Sequence, residues 1–159
     1  MDKEEFNLEE KYDELKQKYS LPELQKLSED FDIEKTQEKE SPFLLREIRR
    51  TINEKIGAYI HLFETLINPT SPPMFVFSLL RNINSDDKES IKEIYKTLSK
   101  TQIEIMKLDT IYKEESEAKF INETFKIWQT LKSKIYKIIE NLESSYEEDD
   151  TIKNKSYFD

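Results

Sequence analysis

A single glycine in 159 residues constrains this chain more than any other feature. Sheets closed by tight turns use glycine where φ is positive, and α/β folds need such turns repeatedly. Gly57 stands alone, and four of the five prolines fall within positions 42–73. Abundant Glu, Lys, Leu and Ile favour long helices instead. The expected fold is all-α: an antiparallel bundle of three long helices, with one or two short N-terminal helices and a short apolar helix packed on it.

Residues 41–67, SPFLLREIRRTINEKIGAYIHLFETLI, organise the rest. Ser41 is placed to cap a first turn, and Pro42 at the first helical position forgoes only an N–H that had no partner. Leu45, Ile48, Ile52, Tyr59, Leu62 and Leu66 then follow a three-four spacing, with Lys55 the one polar member. That is the period of a helix packed along a seam, as in a coiled coil. Asn68-Pro69 ends it. Gly57 in its interior costs about 1 kcal/mol relative to Ala. Either a closely approaching neighbour or simple exposure would account for it.

Ahead of this helix, residues 1–40 read as an acidic arm. Asn7 and Glu10 have capping-box spacing, with Leu8, Tyr12, Leu15 and Tyr19 at helical intervals behind them. Ser20 and Glu23 repeat the box, with Pro22 early in the turn and Leu21, Leu24 and Leu27 facing inward. Phe31 and Ile33 are the last apolar anchors before a solvated linker over 34–40. The arm is expected to pack loosely on the bundle; the alternative is a detachable segment that docks on a partner or covers a basic surface.

After the central helix, NPTSPP turns the chain, and MFVFSLLRNI predicts a short buried helix over 72–82. Phe75, Val76 and Phe77 also suit a strand, but no second strand candidate exists to pair with it. Residues 84–87 start the next helix, with Asp86 and Glu89 in capping-box register. Its seam runs through Ile91, Ile94, Leu98, Thr101, Ile105, Leu108 and Tyr112. The last helix carries Ile121, Phe125, Trp128, Ile135, Ile139, Leu142 and Tyr146. The step from Tyr112 to Ile121 is not one a continued heptad allows, so a turn is placed near 113–117, one bent helix being the alternative. Helices over 42–67, 87–112 and 117–146 make a bundle domain, 41–146. Residues 147–159 read as a disordered acidic tail.

The net charge of −9 is unevenly spread. Residues 1–40 hold 14 acids and 7 bases, residues 147–159 hold 5 and 2, and the middle holds 15 and 16. The acidity lies in the two ends, so total charge says little about what the neutral body can bind. The absence of Cys excludes disulfides and thiolate chemistry and fits a reducing compartment. The start, MDKEEFNLEE, has no apolar run of a signal peptide. The longest apolar run, 74–80, falls far short of the roughly 20 residues that span a bilayer. A soluble cytoplasmic protein without membrane association is expected.

Few residues suggest chemistry. Arg46, Arg49 and Arg50 share one helix face, read as lying opposite the core seam, and Arg81 adds a fourth guanidinium. Such groups grip phosphates or carboxylates bidentately, or pair with Glu47, Glu54 or the arm. His61 and Glu64 stand three apart, in the reverse order of the Glu-x-x-His pairs of di-metal bundles, and there is no second His. Neither metal nor cofactor is expected. One His, no Cys and no Gly-rich turn leave no triad, oxyanion hole or phosphate loop, so an enzyme is not expected.

Met74, Phe75, Phe77 and Leu80, with Phe120, Phe125 and Trp128 elsewhere, exceed what a thin bundle hides, and exposed apolar patches mark protein interfaces. The expected function is a non-enzymatic helical protein–protein interaction module or subunit of a cytoplasmic assembly, its partner another protein or further copies of itself. The alternative is a nucleic-acid-associated protein using the Arg-rich face.

Overall fold

The computed structural model describes residues 6–38, 41–81 and 83–156, the last nine of these by their backbone. Residues 1–5 and 39–40 of the expected arm, Asn82 of the expected short helix and residues 157–159 of the expected tail lie outside the described residues. Among those described, every regular element is helical. The α-helices are α1 (Leu8–Tyr19), α2 (Leu24–Phe31), α3 (Leu44–Ile67), α4 (Met74–Leu80), α5 (Ser85–Thr110) and α6 (Glu114–Ser156). A 3₁₀ helix, η1 (Ile33–Glu38), follows α2. The three long helices α3, α5 and α6 pack together as an all-α bundle.

The helix ends show which capping signals act. Asn7 caps α1, its Oδ1 accepting from the N–H of Glu9 and Glu10. Ser20, in contrast, closes α1 and does not open α2: its φ of 53° is left-handed. The Leu21 N–H then donates to the Lys16 carbonyl at 3.2 Å, the bond that ends many helices. The Ser41 hydroxyl accepts from the Phe43 N–H at 3.1 Å, so it ties the turn ahead of α3, and Pro42 lies outside the helix. Asn84, not Asp86, caps α5, its Oδ1 accepting from the Asp87 N–H at 2.7 Å.

Residues 111–113 separate α5 from α6, so the segment 87–146 holds two helices. The break falls slightly before the expected turn, whose residues largely form the first turn of α6. Beyond residue 146 the expected disordered tail continues α6 to Ser156; no Gly or Pro follows Pro73 to stop it.

Two compact units divide the chain, one made of Met1–Ala58 and Lys100–Trp128, the other of Tyr59–Ser99 and Gln129–Asp159. This is not the division into arm, body and tail that charge suggests. In the first unit the arm is part of the core. Leu8, Tyr12, Leu21, Leu27, Phe31 and Ile33 are all buried. Phe31 meets Trp128 with ring centroids 5.6 Å apart, and Lys55 donates to the Asp30 carbonyl. Tyr19 donates to Glu114 at 2.8 Å, and Asn122 donates to the Tyr19 carbonyl at 3.1 Å. Tyr12, buried to the ring, donates to the Pro22 carbonyl at 2.6 Å and ties α1 to the turn before α2. The expected linker is η1 as far as Glu38, with Thr36 fully buried and donating to the Ile33 carbonyl. Loose packing is therefore corrected: large apolar side chains, not charge, place the arm.

The seam of α5 lies as the spacing predicts, with Ile91, Ile94, Leu98, Thr101, Ile105 and Leu108 buried. On α6 the buried stripe is Ile121, Thr124, Trp128, Leu131, Ile135, Ile138 and Leu142, an unbroken three-four repeat. Phe125, Ile139 and Tyr146, expected in that seam, sit at its edge. On α3 the stripe is wider than predicted and takes in Leu44, Ile56 and Phe63, while Tyr59 and Leu62 are half-buried.

Gly57 resolves in favour of simple tolerance. A Cβ built there meets nothing within 4 Å, and its backbone is helical. Gly57→Ala should stabilise the protein by about 0.5–1 kcal/mol, through helix propensity and a less disordered unfolded chain. Urea denaturation measures this, and an unchanged or lowered midpoint would contradict it.

Candidate interaction surface

In the second unit, α4 starts from Pro73, whose carbonyl accepts from the Phe77 N–H at 3.0 Å. Ser71, in the preceding turn, has a left-handed φ of 51°. The helix is two turns long, which leaves room for one inward stripe. Val76, Leu79 and Leu80 form it, and only Leu79 is fully buried. The expectation of a buried helix is corrected by this geometry. Met74, Phe75 and Phe77 keep 82%, 61% and 44% of their surface exposed.

The exposed side of α4 continues onto α6. Phe75 packs on Tyr146 with ring centroids 5.9 Å apart and planes tilted by 57°. Tyr146 and Ile139 are both partly exposed and lie two turns apart on one side of α6, about 10 Å at the helical rise. Arg81 lies over the Phe77 ring, its guanidinium carbon 4.9 Å from the centroid. Large apolar side chains thus sit outside the core on two elements that touch, where singly scattered ones would need no explanation. Of the apolar candidates, the structure brings Met74, Phe75 and Phe77 to the surface and turns Leu80 half inward. Ile139 and Tyr146 join them, though spacing had assigned both to the core.

The Arg cluster has a different arrangement from the one its spacing suggested. Arg49 is 1% exposed and faces the interior of the first unit. Its Nε donates to Glu117 Oε2 at 2.5 Å and its Nη2 to Glu117 Oε1 at 3.2 Å and Asp109 Oδ1 at 2.8 Å. Glu117 is itself fully buried. Burial opposes the charge on Arg49, but the bonds to Glu117 and Asp109 outweigh it and hold the guanidinium pKa above its ordinary value. Arg49 lies four residues after Leu45 and three before Ile52, so it belongs to the seam and not to the opposite face. Glu117 likewise lies four before Ile121. Opposite charges in the seams of two helices were the signal that sequence reading missed.

Arg46 is stacked between Phe43 and Tyr112, its guanidinium carbon 4.6 and 4.5 Å from their ring centroids. Arg50 is exposed and pairs with Glu47 at 3.1 Å on its own helix. Arg81 belongs to the other unit. Arg46, Arg49 and Arg50 therefore present no common grip for a phosphate backbone. His61 and Glu64 are exposed, and no group of three or more His, Asp or Glu that could hold a metal occurs among the described residues. No helix among the described residues is long and apolar enough to cross a membrane.

No protein-family model matches this chain, and no curated protein or solved structure matches it either.

Proposed function

We propose that the chain is a non-enzymatic helical interaction module of the cytoplasm, which docks a protein partner on the outer face of α4 and the adjoining side of α6. The observation that carries this reading is the exposure of Met74, Phe75 and Phe77 on a helix whose one fully buried side chain is Leu79. Keeping such groups in water forgoes roughly 1.5–3 kcal/mol for each side chain of this size that a partner would bury. Aromatic and Met side chains are also those most enriched at the centres of protein interfaces. The nucleic-acid reading has less behind it, because Arg49 is spent inside the molecule and Arg46 is packed between two rings.

A capture experiment from native lysate, with and without nuclease, compares the wild-type chain with the double variant M74S/F75S. Both substituted residues are exposed, so helicity by circular dichroism should be unchanged. A stoichiometric protein that the wild type retains after nuclease and the variant loses is the expected result. The same proteins on both baits, or partners that vanish with nuclease, would overturn the reading.

A further inference from the structure

We infer that the occupant of the α4–α6 face is a cationic amphipathic helix of another protein. This rests on the docking reading above and adds the chemistry of the partner. Two observations carry it. The first is shape: Phe75 against Tyr146, with Ile139 two turns away along α6, makes an elongated apolar strip. A partner helix meets such a strip with side chains at i, i+3, i+4 and i+7.

The second is charge. Residues 138–152 hold six acids and no base, and among them Glu140 and Glu143 are exposed on the helix that carries Ile139 and Tyr146. Glu140 and Glu143 stand three apart, a like-charge pair that weakens a helix. Lys or Arg flanking the apolar side chains of a partner would relieve that repulsion and speed encounter.

The same charge excludes the other occupants. Two copies joined through this face would set Glu140 and Glu143 against their own counterparts, in a chain already at −9. Nucleic acid and anionic lipid surfaces would be repelled in the same way. Arg81, which follows α4, is already seated on Phe77.

Fluorescence anisotropy with the full-length chain tests the inference, using dye-labelled amphipathic peptides of ~18 residues, long enough to be helical. One is a Leu/Lys helix, one its Leu/Glu counterpart, and one a scramble of the Leu/Lys composition that keeps charge but loses the apolar face. The Leu/Lys helix should bind at least about tenfold more tightly than either other peptide. Its affinity should fall with added salt, by about tenfold in M74S/F75S and by about tenfold in E140K/E143K.

Failure to bind the Leu/Lys helix, or equal binding of its scramble, overturns the inference. Equal affinity for the Leu/Glu helix, still lost in M74S/F75S, overturns the cationic partner and leaves the docking face standing. Binding untouched by M74S/F75S overturns both. Sedimentation showing a dimer that M74S/F75S dissociates would make a second copy the occupant, against the inference.

Discussion

Arg49→Met should destabilise the protein by about 3–5 kcal/mol, the usual cost of removing one partner of a buried ion pair. Glu117 has no exposed surface, and two of its bonds come from Arg49. Without the guanidinium its carboxylate must stay charged in a poorly solvated site, take up a proton, or force the core open to water. Asp109 is a weaker loss, because its side chain is largely exposed and water replaces Arg49 there. The variant Glu117→Gln should cost less than Arg49→Met, since it keeps the shape and leaves Arg49 bonded to Asp109.

Replacing both members, Arg49→Met with Glu117→Leu, should recover most of the loss, since apolar groups of similar volume commonly match or exceed a buried pair. Urea denaturation of the wild type, Arg49→Met, Glu117→Leu and the double variant closes the cycle. A loss under about 1 kcal/mol for Arg49→Met would show that the pair is not buried in solution. A double variant worse than either single one would show that the pair fixes the packing of α3 on α5 and α6.

Phe31→Ala should cost a further large amount, about 3–5 kcal/mol, as expected for truncating a buried aromatic. Phe31 is buried and tilted against Trp128, and the Lys55 ammonium lies 5.9 and 5.4 Å from the two ring centroids. The cavity would open onto the indole from which the arm excludes water. Trp128 is the only tryptophan in the chain, so its emission reports this site without labelling. The variant should show red-shifted fluorescence and a lower denaturation midpoint. Against total stabilities of about 5–15 kcal/mol, such a loss threatens the fold of the first unit. An arm that detaches freely would instead give a small stability change and an indole already exposed in the wild type.

Much of this could be read directly from residues. Asn7 before Leu8, Asn68-Pro69 after Ile67 and the three-four run from Ile91 to Leu108 each use a local rule, and each holds. Local rules failed where two of them competed for one residue. Ser20 satisfies both an N-cap pattern and the end of a helix, and the left-handed backbone at Ser20 decides for the end. On α6, both Phe125 and Thr124 stand at helical spacing from Ile121. Hydropathy favours the phenylalanine, while the unbroken repeat through Leu131 and Ile138 places the threonine inside. Of the candidate surface, the apolar character of Met74, Phe75 and Phe77 was legible at once, but the contribution of Tyr146 was not. It lies more than sixty residues further along, and nothing in its own helix shows that Phe75 will meet it.

The sequence by itself determined that this chain is helical, that α1 opens after Asn7 and α3 closes before Pro69, and which stripe of α5 is buried. Those properties follow from backbone freedom and from the 3.6-residue period, both of which are local. Only the tertiary structure decided that Arg49 and Glu117 belong to the interior, that the acidic arm is core, and that α4 shows its aromatics to solvent. A charge can be buried only where an opposite charge arrives to meet it, and an aromatic is hidden only where another element covers it. Periodicity names the face a residue occupies; what meets that face depends on helices far away along the chain.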